Sequence, residues 1–130
     1  MPGPLTAQQF RGGQSNPTFL VETGDRRFVL RKKPPGQLLP SAHMIEREYR
    51  VVHALRGSGV PMIRTHLLCE DASVIGTPFY LMDFAEGRIF RDPSLPGLAP
   101  SERRDIYAAM SDVMARLHIS RATWRGCRAR

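Results

Sequence analysis

Three short segments hold the residue types that could do chemistry. Gly12-Gly13-Gln14-Ser15-Asn16 lies between Phe10 and a β-rich run starting at Thr18. Glycines let backbone N–H groups approach an anion, and Ser and Asn side chains add donors, so a phosphate cradle is one reading. A turn that only admits the chain to a strand is the other. The spacing matches neither the P-loop nor G-x-G-x-x-G. Arg31 closes the next β-rich run, from where it points a cation back toward whatever the loop holds, unless it is simply solvated. Glu48 lies three residues after Ile45 and four before Val52, on the apolar face of a helical pattern. A carboxylate there either reaches water at the edge of the stripe or requires a cation, Arg31 or Lys33. The third segment, Met82-Asp83-Phe84-Ala85-Glu86-Gly87, ends the most apolar run at a glycine-containing junction that suits a hinge. Asp83-Phe84 imitates a D-F-G metal site but comes too early and lacks the glycine, so it is not read as a magnesium ligand.

The elements that must position these residues follow from pattern. Residues 1–9 read as a polar, Pro-containing, flexible lead-in. Residues 18–23 and 28–31 are two strands, separated by Gly24-Asp25 and Arg26-Arg27 closely enough to form a hairpin. Lys32-Lys33-Pro34-Pro35-Gly36 ends the second strand. From Ser41, a candidate cap, Ile45, Tyr49, Val52 and Leu55 recur at helical spacing and Gly57 stands where the helix should stop. Residues 63–70 and 79–85 read as strands, the latter central because it is short, apolar and preceded by Pro78. Residues 92–100 are rich in Pro and Gly. Ser101 then caps a second helix with Ile106, Met110, Val113 and Leu117 on one face. The order ββ, α, ββ, linker, α predicts an α+β fold.

Length and composition limit the alternatives. The 130 residues allow about one domain, and a hydrophobic content of 42% with 24% charged residues excludes a wholly disordered chain. No apolar run reaches the ~20 residues that cross a bilayer, and the start lacks signal-peptide character, so a cytoplasmic, membrane-free protein is expected. Cys69 and Cys127 have no C-x-x-C spacing and suggest neither a disulfide framework nor a zinc site. More than half of the net charge of +7 sits in residues 119–130 as Arg121, Arg125, Arg128 and Arg130. The other basic pairs have no interleaved aromatics for base stacking, which argues against nucleic acid.

Taken in order, Gly12 to Asn16, Phe28-Val29-Leu30-Arg31, Glu46-Arg47-Glu48-Tyr49, Val60-Pro61 and residues 76–87 resemble the N-terminal lobe of the aminoglycoside phosphotransferase family, whose fold is similar to protein kinases. Arg31-Lys32-Lys33-Pro34-Pro35-Gly36 and Gly87-Arg88-Ile89-Phe90 look most like the phosphotransferase-like domain at the N-terminus of long acyl-CoA dehydrogenase family proteins. The resemblance implies a kinase-like small lobe over 10–90, an antiparallel sheet plus one helix. It also implies a linker at 91–100, the first helix of an otherwise absent larger lobe at 101–118, and a divergent Arg-rich tail at 119–130. It implies ATP, with magnesium, as cofactor. Gly12, Gly13, Gln14, Ser15 and Asn16 would lie over the phosphates, Arg31 would take the place of the kinase strand lysine with Glu48 as helix partner, and Asp83, Phe84 and Ala85 would form the adenine hinge. Arginine in place of lysine departs from the family, because its fork is broader and keeps its proton.

The family's chemistry needs a His-x-Asp catalytic loop and a further metal-binding aspartate. His43, His53, His66 and His118 are followed by Met-Ile, Ala-Leu, Leu-Leu and Ile-Ser, so no His-x-Asp occurs. His118 reads as part of a helix end. The resemblance thus implies a fragment of a kinase that transfers the ATP γ-phosphate to a small-molecule hydroxyl, with hydroxyacyl compounds suggested by the acyl-CoA dehydrogenase group. Such a fragment, a truncated or alternatively terminated product, would be inactive alone. The alternative is a non-catalytic nucleotide-binding or protein-interaction module. A missing C-terminal lobe or a partner protein would then cover the exposed face of the second helix.

Overall fold

A computed structural model describes residues 3–11, 16–36 and 44–120. In order they form β1 (Leu5–Gln9), β2 (Thr18–Thr23), β3 (Arg26–Lys32), α1 (Ile45–Ala54), β4 (Thr65–Cys69), β5 (Phe79–Asp83) and α2 (Pro100–Ile119). The chain divides into two compact units, Met1–Ala54 with Ile63–Ala85, and Leu55–Met62 with Glu86–Arg130.

The first unit is a five-stranded antiparallel sheet in the order β1-β2-β3-β5-β4, with α1 against β4 and β5. The predicted hairpin is present: Gly24, at φ +60, makes the tight turn that lets Thr23 face Arg26 across β2 and β3. The predicted strand at 79–85 is β5, central between β3 and β4, where Phe79 and Tyr80 are buried. One expectation is corrected: the lead-in at 1–9 contains β1. All five of its residues are exposed, the alternation of Leu5 and Ala7 is too short to mark a strand, and its backbone pairing with β2 makes it one.

Directly opposed residues in an antiparallel pair share a face of the sheet. Arg31 stands opposite Thr18 on β2 and opposite Tyr80 on β5, which brings these three residues together laterally. A bond from Lys32 N–H to the Pro17 carbonyl (3.1 Å) and one from Lys33 N–H to the Pro78 carbonyl (3.2 Å) carry the ladder past both strand ends.

Helix α1 begins at Ile45, and the predicted cap Ser41 lies outside the described residues. Its two acids, Glu46 and Glu48, occupy the first turn, where the helix dipole favours negative charge. Gly57 follows at φ +74, a conformation that ends helices and that side chains with a Cβ rarely adopt. Ile45 is fully buried. Tyr49 stacks on His53 at 5.5 Å and meets the Tyr80 ring at 61° and 5.8 Å. His53 Nδ1 in turn lies 3.0 Å from the hydroxyl of Thr65, which is buried.

In the second unit α2 starts one residue before the predicted Ser101. Ala99 is its N-cap, Pro100 with its preset φ opens the first turn, and the Glu102 carboxylate accepts from Ala99 N–H at 3.3 Å. Arg103 Nε donates to the Leu95 carbonyl at 3.1 Å, and the Tyr107 hydroxyl donates to that of Pro93 at 2.5 Å, so the Pro/Gly-rich stretch is fastened to the helix. No residue of α2 is buried, and Met110 and Leu117 of the predicted apolar face are exposed. Among the described residues no helix is long and apolar enough to cross a membrane.

Ile45 has no solvent-accessible surface, so removing its branched chain leaves a cavity between helix and sheet. Ile45→Ala should cost about 2–4 kcal/mol, read as a lower midpoint in urea or thermal unfolding of the chain. A loss under about 1 kcal/mol would show that this contact does not hold the first unit together.

Candidate functional site

The residues singled out in the sequence divide into three groups in space. Gly12, Gly13, Gln14 and Ser15 lie outside the described residues. Asn16 lies just before β2, its carbonyl accepting from the Thr18 hydroxyl at 3.1 Å. Gln8, Gln9, Phe10, Arg11 and Leu20 line an open cavity of about 240 Å³.

Arg31 and Glu48 come together. The register puts Arg31 on the face of the sheet that α1 covers, and Glu48 comes down from the helix's first turn. Arg31 Nε and Glu48 Oε1 are 2.9 Å apart, with side chains 29% and 32% exposed. The contact is off the hydrogen-bond direction, and Arg31 Nε is a buried donor without an aligned acceptor. Coulomb attraction therefore holds the pair, and its strength is reduced by solvent screening at this exposure. The directed bond to Glu48 comes from elsewhere: the Tyr80 hydroxyl donates to the same Oε1 at 2.6 Å. Burial first, then this bond and the Glu48 charge, push the Tyr80 hydroxyl well above its ordinary pKa.

Lys33, the alternative partner for Glu48 in the sequence, is committed to Glu46. Its Nζ donates to Glu46 Oε1 at 2.6 Å, while the Thr77 hydroxyl donates to the Lys33 carbonyl at 3.2 Å. Burial would raise the Glu46 pKa. The Lys33 hydrogen bond, a backbone hydrogen bond at Glu46 itself and the charges of Lys33 and Arg50 outweigh it and hold the carboxyl below its ordinary 4.5.

Asp83, Phe84 and Ala85 stand at the end of β5, where the first unit gives way to Glu86 and the second. Asp83 N–H donates to the Arg64 carbonyl at 2.9 Å and is therefore occupied. Its carboxylate meets His66 Nε2 at 2.5 Å, His66 stands edge-on to Phe28 at 5.2 Å, and the Arg27 guanidinium lies 4.7 Å from the centre of the Phe84 ring. Side chains thus fix the strand end on both sides. Sequence reasoning missed Tyr80, His66 and the Lys33–Glu46 pair. The one available signal was a phenolic hydroxyl inside an otherwise apolar run, which requires a buried acceptor.

A strand-borne cation, a helix-borne acid and a strand end leading into a second unit are the parts of a phosphoryl-transfer small lobe. Residues 6–130 match the model of the phosphotransferase enzyme family. The chain belongs to that family. Within it, the chain is 49% identical to a solved Ralstonia eutropha JMP134 protein described as an aminoglycoside phosphotransferase, with a TM-score of 0.74 over 89% of this chain and 32% of that one. This agrees with the predicted kinase-like N-terminal lobe. The chain is also 58% identical over 116 residues to mouse acyl-CoA dehydrogenase family member 10, and 54% identical over 114 residues to human acyl-CoA dehydrogenase family member 11. These alignments cover 89% and 88% of this chain but only 11% and 15% of the relatives.

The family implies ATP and magnesium, and the described residues fit the first. Arg31 supplies a guanidinium on the sheet face opposite Thr18, and a guanidinium is the donor chemistry that a phosphate requires. For magnesium, the described residues form no cluster of three or more acids, histidines or cysteines.

The lowered Glu46 pKa makes a pH-dependent contribution to stability. The unfolded carboxyl titrates near 4.5 and the folded one below it, so the contribution is complete above about pH 5 and lost as pH falls through the folded value. Glu46→Gln should cost about 0.5–1 kcal/mol at pH 7 and should flatten the fall of the melting midpoint between pH 5 and 3. Equal steepness in wild type and variant would refute the assignment.

Proposed function

We propose that this chain is the nucleotide-binding small lobe of an ATP-dependent phosphotransferase, holding the triphosphate between the 12–16 segment and Arg31 and the adenine ring against the backbone at 83–85. The observation that carries this reading is Arg31: its guanidinium is paired with Glu48 by charge and not by an aligned hydrogen bond. A cation arranged in this way keeps hydrogen-bonding capacity for an anionic ligand. Bound ATP supplies the transferable γ-phosphoryl group. In this reading the chain's own residues bind and orient it. They do not transfer it, because no His-x-Asp occurs among the four histidines. The whole protein would phosphorylate a small-molecule hydroxyl. Relatives named acyl-CoA dehydrogenase family members support an acyl compound carrying a hydroxyl as the acceptor.

Calorimetric titration of the 130-residue chain with MgATP and with adenosine tests the reading. ATP should bind more tightly than adenosine, and Arg31→Ala should weaken ATP about tenfold, the loss of a charged hydrogen bond, while leaving adenosine unchanged. Equal affinity for ATP and adenosine in the wild type, or an ATP affinity that survives Arg31→Ala, would defeat it.

A further inference from the structure

Tyr80 is the most buried polar side chain beside Arg31, at 1% exposure. Its ring would fill its place in the sheet without the hydroxyl, and a buried hydroxyl is tolerated only when bonded. The bond it makes, to Glu48 Oε1 at 2.6 Å, goes to the oxygen that Arg31 Nε approaches at 2.9 Å without alignment. Of these two contacts, only the one from Tyr80 fixes the direction of the carboxylate. Direct opposition across β3 and β5 puts Arg31 and Tyr80 on one face, and the edge-on contact with Tyr49 of α1 orients the Tyr80 ring.

Once the hydroxyl is gone, the Glu48 carboxylate is free to turn and take Arg31 as an aligned, two-pronged partner, the arrangement that guanidinium and carboxylate prefer. That pairing would use N–H groups otherwise available to a phosphate. We propose that Tyr80 is a positioning residue, whose hydroxyl pins Glu48 so that Arg31 keeps its donors for a triphosphate. This rests on the nucleotide-binding reading above. Tyr80 is suited to the task because burial and the Glu48 contact keep its hydroxyl protonated, a constant donor across the physiological pH range.

The test is the ratio of ATP to adenosine affinity in the 130-residue chain, measured by titration for wild type, Tyr80→Phe, Glu48→Ala, the double variant and Arg31→Ala, with a thermal melt of each. Tyr80→Phe should weaken ATP about three- to tenfold with adenosine unchanged. The double variant should lose no more than Glu48→Ala alone, because Tyr80 acts through Glu48. Parallel loss of both ligands, with a lower melting midpoint, would reduce Tyr80 to a packing role and overturn the inference. Unchanged ATP affinity in Tyr80→Phe beside a clear loss in Arg31→Ala would overturn it while leaving the nucleotide reading intact. No ATP binding by wild type, or none lost in Arg31→Ala, would overturn both. Should Tyr80→Phe not fold, Glu48→Ala carries the test. Its side chain is a third exposed, and with no carboxylate left to capture Arg31 its ATP affinity should stay within about threefold of wild type, whereas an ATP-specific loss of about tenfold would overturn the inference.

Discussion

A carboxylate on the sheet-facing side of a helix must be met by donors, and Glu48 imposes that requirement on everything around it. Meeting it fixes the register of β3 against β5, because Arg31 and Tyr80 reach one oxygen only if they stand opposite each other. It also fixes the rotation of α1, whose Tyr49 must then turn toward Tyr80 and its Ile45 into the interior. From Tyr49 the same constraint runs through the stacked His53 ring to the hydroxyl of buried Thr65 on β4. Helix, central strand and edge strand are thus tied by one line of polar and aromatic contacts, with apolar burial filling the space around it.

Much of this could be read from residues alone, and the limits have physical causes. The hairpin was legible because Gly24-Asp25 separates two β-rich runs, and α1 because Ile45, Tyr49 and Val52 keep a helical period. The pairing of a strand cation with Glu48 followed from the cost of leaving an acid on an apolar stripe. The choice between Arg31 and Lys33 did not follow, since it depends on the β3–β5 register, and no local pattern encodes which residue of one strand faces which of another. β1 was invisible for a related reason. A wholly exposed edge strand is held by backbone bonds, which leave no mark in side-chain hydrophobicity.

Arginine at the strand position departs from the lysine that the kinase resemblance implies, and the geometry shows what this changes. A lysine presents one ammonium that a single carboxylate satisfies compactly, as Lys33 and Glu46 do at 2.6 Å. A guanidinium spreads five donors over a plane, so contact at Nε leaves the rest of the fork to other acceptors.

The two ion pairs that join β3 to α1 therefore differ in kind. Lys33–Glu46 is closed: its hydrogen bond is short and aligned, the Thr77 hydroxyl caps the Lys33 carbonyl, and the acid is held in its charged form. It fastens the end of the strand to the start of the helix. Arg31–Glu48 is open, with a buried donor left unaligned and its acid oxygen held by a third residue. Native proteins leave few buried polar groups without a partner, and those few tend to sit where a ligand or a reaction makes use of them. The closed pair makes the open one sustainable. With β3 already anchored to α1 two residues further along, the unaligned Nε of Arg31 is carried at little cost to the fold.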